Sequence, residues 1–214
     1  INRIRPLIRT EVAKLTSQKP TAFVVPASSE DRDLYAANAG EQIWNSIYHS
    51  KKIHRIARRA VWWASTTGNG FIKCWWDDDK IDDSTGLPGD ICYEQISPFH
   101  IFVPNLKLQD IEDQPMVIHA VNHDIEALEL AYGTKIDRAK DQSEIINESF
   151  STAMGIDQNV AKKQDKVVVI EAWIKPNKYK IFPKGGLITV AGSQILNITE
   201  GWPYEHAQYP FVHI

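Results

Sequence analysis

The spacing of hydrophobic residues at the start of the chain predicts a helix. Apolar residues recur every three or four positions over residues 1–19, and the basic residues of this stretch lie mostly off the apolar face. Pro6 fits best in the first helical turn, and Pro20 ends the helix. Residues 21–25 are short, rich in β-branched side chains and closed by Pro26, so they form either one strand or an extended connector.

A longer helical stretch follows, and its hydrophobic face changes direction part-way. Ser28 and Ser29, with acidic residues behind them, predict an N-cap and a first turn. At about 100° per residue, the apolar residues up to Tyr48 centre well over a right angle away from those that begin at Ile53. This shift predicts a break or kink over residues 49–52, with Ser50 as the N-cap of the next helix. A continuous helix that buries different faces against different neighbours is the alternative.

Four of the chain's seven tryptophans flank the transition from helix to strand. A helical pattern continues to Ala64, a polar stretch containing Gly68 and Gly70 stops it, and a strand pattern begins at Phe71. Large aromatic side chains bury much apolar area. We therefore predict that they form a core that fixes the helices to the first hairpin: Trp62, Trp63, Trp75 and Trp76.

The remainder of the chain is mostly strand-like. Residues 71–77 and 89–96 predict an antiparallel hairpin with an acidic loop. Asp124 predicts the N-cap of a short helix that Gly133 ends. The other extended segments are residues 98–103 and 116–122, and then a β meander at residues 167–174, 179–182, 187–191 and 194–198, with an aromatic connector at 202–210.

This order of elements predicts an α+β fold, with N-terminal helices packed on an antiparallel sheet or meander. We expect four parts. They are a helical part (1–70), a part with the hairpin, further strands and the short helix (71–133), a polar insertion or mobile segment (134–165), and a β meander (166–214).

Composition limits the class of protein. The chain has 214 residues and 43% hydrophobic content, which suffices for one sizeable core or two small ones. It has no run of about 18 apolar residues, so the sequence predicts no membrane span. Because it starts at Ile1 without a methionine and stops at Ile214 inside an apolar run, we expect a fragment of a longer protein. Cys74 and Cys92 lie in predicted strands and are expected to be reduced core thiols, since a disulfide requires an oxidising compartment.

Charge is distributed unevenly along the chain. The net charge is −3, but residues 1–70 have a balance of +6, residues 71–165 of −11 and residues 166–214 of +2. A basic helical part followed by an acidic middle indicates separate charged faces and excludes a uniform nucleic-acid-binding surface.

The acidic loop of the hairpin raises the question of a metal site. Its run of Asp77, Asp78, Asp79, Asp82 and Asp83 fails the spacing of a helix–loop–helix calcium site, which needs an oxygen ligand at position 5 and glycine at position 6. His119 and His123 span a strand end and a helix start, without a His-Glu-x-x-His motif. We expect a solvated loop, with no catalytic, cofactor-binding or metal-binding residue. The alternative is a metal-dependent hydrolase that uses residues 77–83 with His119 or His123.

A basic cluster occupies the predicted helix after the break. At helical spacing, five side chains form one basic face that can contact DNA phosphate or an acidic patch on a neighbouring subunit: Lys51, Lys52, Arg55, Arg58 and Arg59. The alternative is a solvated helix face with no partner.

A succession of short stretches gives the chain a family resemblance. They include Asn-Arg-Ile-Arg-Pro-Leu-Ile-Arg-Thr at 2–10 and Gly-Asn-Gly-Phe-Ile-Lys-Cys-Trp-Trp-Asp at 68–77, with further stretches at 18–27 and 96–104 and weaker ones at 117–119, 171–175 and 208–212. In this order and spacing, the chain resembles the portal (head–tail connector) proteins of tailed bacteriophages.

The resemblance implies a structural role. The chain would be the wing part of a portal subunit in a ring, typically a dodecamer, at one capsid vertex of the virion, assembled in the host cytoplasm. The ring would dock the large subunit of terminase and the capsid or scaffolding protein, pass double-stranded DNA non-specifically during packaging and ejection, and bind head-completion or tail adaptor proteins. It would need no cofactor, membrane or catalysis. The alternatives are the hydrolase above and a non-portal virion or adaptor protein.

Overall fold

The computed structural model describes residues 3–18, 22–81, 86–136, 166–176 and 182–214. Most of the predicted polar insertion and of the strand predicted at 179–182 lies outside these residues. The helices within them are α1 (Ile4–Leu15), α2 (Asp31–Ser50), α3 (Ile53–Thr67) and α4 (Ile125–Tyr132). The strands are β1 (Phe71–Ile81), β2 (Pro88–Ile96), β3 (Ile101–Phe102), β4 (Met116–Asp124), β5 (Lys166–Ile174), β6 (Gly186–Ala191), β7 (Gln194–Glu200) and β8 (Phe211–His213).

Helices and antiparallel sheets confirm the predicted α+β class. The chain divides into two compact units: unit 1 comprises Ile1–Pro98 with Pro210–Ile214, and unit 2 comprises Phe99–Tyr209. Unit 1 contains α1, α2, α3 and a three-stranded sheet in the order β2-β1-β8. Unit 2 contains α4 and a five-stranded sheet in the order β3-β4-β5-β6-β7. None of the helices in the described ranges is long and apolar enough to cross a membrane.

The predicted break between the second and third helices is present, but its capping residue was predicted wrongly. Helix α2 ends at Ser50 and α3 begins at Ile53, and Lys52 between them has a left-handed backbone with φ of 53°. Lys52, not Ser50, occupies the N-cap position of α3. The Ser50 hydroxyl instead donates to the carbonyl of Ile47 at 3.4 Å, so it serves the end of α2.

The start of α2 also differs from the prediction in its cap. Glu30 is the N-cap residue, and its side chain makes no capping hydrogen bond. Ser28 lies two residues earlier, where its hydroxyl donates to the Asp33 carboxylate at 2.6 Å and accepts from the Glu30 N–H at 3.2 Å. The described residues 22–26 form no strand, which leaves the extended connector as the correct alternative.

The predicted hairpin of unit 1 is confirmed and gains a third strand. Strands β1 and β2 pair from Phe71 opposite Ile96 to Asp77 opposite Asp90. On the other edge of β1, His213 of β8 pairs with Phe71, and the two rings stack at 4.7 Å. This third strand was not predicted, because its three residues give no periodicity of their own.

The helix-to-sheet junction is close-packed, but through small residues. A Cβ at Gly70 would lie 2.3 Å from the carbonyl oxygen of Ala60, and Ala60 is fully buried. The prediction of a tryptophan core is wrong for two of the four: Trp62 is 39% exposed and Trp76 is 51% exposed. The backbones of α3 and β1 approach too closely to leave room for all four indoles between them.

The predicted caps of the short helix in unit 2 are confirmed. The Asp124 carboxylate accepts hydrogen bonds from the backbone N–H groups of Glu126 and Ala127, and Gly133 ends α4 with φ of 64°. The helix covers the strands of unit 2 through a buried apolar cluster: Ile125, Leu128, Ile136, Val167, Val169 and Ala191. Caps of this kind are local, and they could therefore be predicted from the sequence.

The aromatic connector packs within unit 2. Trp202 meets Trp173 of β5 edge to face at 6.1 Å and Tyr209 at 5.3 Å. The Tyr209 hydroxyl donates to the backbone carbonyl of Gln114 at 2.8 Å, and Gln114 is 1% exposed. These contacts hold the end of the connector before the chain continues into β8.

Candidate functional site: an arginine-lined pocket

A pocket of about 450 Å³ lies in unit 1 between α1 and α3. Its walls carry five arginine side chains, two from α1 and three from α3: Arg5, Arg9, Arg55, Arg58 and Arg59. Val12 and Trp62 complete the lining. The side chains with formal charge in this lining are therefore all cationic.

Helical spacing explains why these side chains converge. Arg5 and Arg9 are four residues apart on α1, so they lie one above the other on the same face. On α3, Arg55 is followed by Arg58 and Arg59 at three and four residues, which places all three on adjoining turns. Val12 is 3% exposed, continues the face of α1 that carries the two arginines and packs inward. Packing of α1 against α3 then sets the two basic rows side by side.

The pocket concentrates positive charge. In the part of the chain that the structure describes, no carboxylate lies within ion-pair distance of Arg9, Arg55 or Arg58, and the same is true of Arg59. Guanidinium groups keep their charge at any ordinary pH, so these like charges repel one another. An anion in the pocket would relieve that repulsion.

The chemistry of the lining favours carboxylates or phosphates. Guanidinium groups present planar pairs of N–H donors that match the two oxygens of such anions. Trp62, which is 39% exposed, offers an aromatic face on which a guanidinium can stack. The pocket is thus suited to hold more than one anionic group at once.

The structure separates the five basic residues that the sequence grouped together. Arg55, Arg58 and Arg59 line the pocket. The ammonium group of Lys51 instead forms an ion pair with the carboxylate of Asp90, which is 6% exposed. Lys52 lies at the break between α2 and α3.

Sequence reasoning missed the contribution of the first helix. Arg5 and Arg9 were recognised only as residues off the apolar face of that helix. Their four-residue spacing matches the spacing in the later basic cluster, and this was the available signal. No local sequence pattern indicates that the basic faces of α1 and α3 pack against each other.

The acidic residues in the second half of β1 form hydrogen bonds with groups nearby in the chain. The Asp78 carboxylate accepts from the Trp76 indole N–H at 2.6 Å, and the Asp77 carboxylate accepts from the backbone N–H of Asp79 at 3.2 Å. Asp82 and Asp83 lie outside the described residues. Among the residues that are described, no group of three or more His, Cys, Asp and Glu side chains could hold a metal ion.

The two histidines considered for metal binding belong to unit 2. His119 is 7% exposed, and its Nδ1 lies 3.1 Å from a carboxylate oxygen of Glu171 on the paired strand β5. His123 lies near the exposed end of β4. Burial lowers the pKa of the nearby His100, and the proximity of His119 lowers it further. Burial and the Glu171 carboxylate raise the pKa of Tyr132. The contact of His119 with Glu171 joins two neighbouring strands of the sheet.

Comparison with known families decides the class of protein. The sequence profile of the family described as Phage P22-like portal protein matches residues 1–209 of the 214. The chain belongs to this portal family. The resemblance inferred from short stretches is thereby confirmed. A search of curated proteins found no match.

Membership in the portal family indicates which kind of function the pocket can serve. Phage portal proteins are structural proteins, occupy a vertex of the phage capsid, and form ring oligomers associated with the capsid. In such a protein, the relevant properties of the arginine pocket are its charge and shape. The question is therefore which anionic surface it contacts.

Proposed function

We propose that this chain is the wing part of a subunit in a dodecameric portal ring that passes double-stranded DNA during packaging and ejection. The ring assembles in the host cytoplasm, docks the large subunit of terminase and the capsid or scaffolding protein, and later binds head-completion or tail adaptor proteins. The observation that carries this proposal is the family match, which extends over nearly the whole chain. The role requires no catalysis by the subunit itself.

The charge of the chain is compatible with DNA passage. Each copy has a net charge of −3, and a ring multiplies the charge of its subunit. A protein that neutralises many phosphates binds DNA tightly and in a salt-dependent way, which would oppose sliding. A weakly negative subunit avoids such retention.

The basic side chains are proposed to serve contacts within this assembly. The sequence grouped Lys51, Lys52, Arg55, Arg58 and Arg59 as a surface for DNA or for a neighbouring subunit. The pocket formed by three of them with α1 supports a contact of this kind. Lys51 can contribute only if its ion pair with Asp90 opens.

Imaging of the complete protein tests the proposal. The protein expressed from its natural reading frame is examined by negative-stain electron microscopy and mass photometry. We expect ring particles with the mass of a dodecamer and a central channel. A protein that stays monomeric over the full range of concentration and salt would contradict the proposal. Co-purification with the terminase large subunit tests the docking partner separately.

A further inference from the structure

Unit 1 carries a second charged surface, opposite in sign to the arginine pocket. Strand β1 extends past its last regular pair, Asp77 opposite Asp90, and its register shifts before Ile81 pairs with Pro88. Asp78 and Asp79 lie in this irregular stretch and are exposed. Such a bulge turns side chains out of the regular alternation of a strand. The three acids Asp77, Asp78 and Asp79 form what we call the acidic strand end.

The carboxylates of the acidic strand end accept few hydrogen bonds from the described part of the chain. A carboxylate offers about four lone-pair positions. The structure assigns one accepted hydrogen bond to Asp78 and one to Asp77, both from groups nearby in the chain. None of the three acids lines the pocket of its own subunit. The acidic strand end therefore remains available to other molecules, as do four arginines of the pocket: Arg9, Arg55, Arg58 and Arg59.

We propose that the arginine pocket of one subunit binds the acidic strand end of the neighbouring subunit. This inference rests on the proposed function, because a ring is closed by contacts between two different surfaces of identical subunits. Arginine side chains pair with carboxylates through two parallel hydrogen bonds, so the lining matches the chemistry of this occupant. Residues two apart on a strand lie about 7 Å apart. That spacing lets Asp77 and Asp79 meet two different arginines.

A carboxylate occupant fits better than the DNA backbone. A cube of the pocket's 450 Å³ has an edge of about 8 Å, which admits a few side chains. A duplex can offer such a cavity only single phosphates from its convex surface. Repeated in every subunit, phosphate contacts by several arginines would also hold DNA in place, as the steep salt dependence of such contacts shows.

Charge reversal in the complete protein tests the contact. One variant combines Arg58→Glu with Arg59→Glu, a second combines Asp77→Lys with Asp79→Lys, and a third contains all four changes. Mass photometry gives the concentration at which half of the subunits are in rings. We expect each two-residue reversal to raise that concentration more than about tenfold, because like charges then face each other. The four-residue variant should return to within about threefold of the wild type.

Two controls separate assembly from folding. Arg32→Glu with Lys107→Glu makes the same change in charge at exposed positions outside the pocket and should leave assembly unchanged. Arg58→Gln with Arg59→Gln removes repulsion without adding negative charge. Its circular dichroism spectrum and melting temperature should match or exceed those of the wild type, while its ring formation weakens.

The outcomes are distinct. Rings that are unaffected by reversal of Arg58 and Arg59, or a four-residue variant without recovery, would overturn this contact while leaving the portal ring in place. If the arginine reversals leave the rings intact but weaken retention of double-stranded DNA in a filter-binding assay, the pocket serves DNA and the proposal is overturned. A wild-type protein that forms no rings would contradict the proposed function itself.

Discussion

The ammonium group of Lys51 and the carboxylate of Asp90 form an ion pair that fastens the break between α2 and α3 to strand β2. The two residues are 39 positions apart in the chain. Asp90 is 6% exposed, and Lys80 approaches the same carboxylate at 3.6 Å. A buried carboxylate costs free energy unless cations or donors satisfy it, so this pair decides where the N-terminal end of α3 can lie.

We predict that Lys51→Met lowers the free energy of unfolding by about 2 kcal/mol. The substitution keeps most of the apolar stem but leaves Asp90 buried with only the more distant Lys80. Urea denaturation followed by circular dichroism measures the change. Lys52→Met, at the exposed neighbouring position, is the matched control and should change stability by less than about 0.5 kcal/mol. Equal effects of the two substitutions would contradict a structural role for the ion pair.

Gly70 provides a test of the close contact between α3 and β1. An added Cβ would lie 2.3 Å from the Ala60 carbonyl oxygen, and a backbone atom can yield only if the helix moves away from the sheet. We expect Gly70→Ala to cost about 3 kcal/mol of unfolding free energy. Gly68→Ala is the control, because a Cβ there meets nothing within 4 Å and only the φ of 85° is unfavourable. It should cost about 1 kcal/mol.

The two cysteines are expected to resist both alkylation and disulfide formation. In the β1–β2 register, Cys74 faces Tyr93 and Cys92 faces Trp75, so the two thiols lie on opposite faces of the sheet. Burial raises the pKa of Cys74, and burial raises the pKa of its neighbour Tyr93 to about 12. A thiol with a raised pKa has little thiolate near neutral pH. Ellman's reagent should therefore react slowly with the native protein and titrate two thiols after denaturation. Rapid labelling of the native protein near neutral pH would contradict this prediction.

His100 should make unit 2 less stable in mild acid. Burial, reinforced by nearby His119, lowers the pKa of His100 below its ordinary value of 6.5, so the folded state binds a proton less readily than the unfolded state. Where the unfolded state binds more protons, stability increases with pH. Stability should therefore fall as the pH drops through 6.5 towards the lower pKa of the folded state.

Melting temperatures of the wild type and His100→Gln, recorded from about pH 8 to about pH 5, measure this contribution. The difference between the two proteins should be constant above neutral pH, where His100 is uncharged in both states. Below that it should change in favour of the variant, which lacks the titrating group. A difference that stays constant over the whole range would show that His100 contributes nothing to the pH dependence.

Local signals account for what could be predicted of the fold. The change in phase of the apolar residues placed the break between α2 and α3 correctly, and Asp124 and Gly133 gave both ends of α4. The capping prediction failed at Ser50 because a serine hydroxyl can also donate to the turn behind it. The prediction of a tryptophan core was wrong in part because apolar character alone does not determine how closely the backbones of α3 and β1 approach.

Only the tertiary structure assembled the candidate site. The sequence by itself determined the α+β class, the helix break, the hairpin, the caps of α4 and the portal resemblance, because each depends on residues close together in the chain or on their order. It could not determine that α1 brings Arg5 and Arg9 to the arginines of α3, or that Lys51 turns away to Asp90. Nor could it place His213 beside Phe71. Periodicity specifies which face of an element is polar or apolar, but which faces meet depends on packing between segments far apart in sequence.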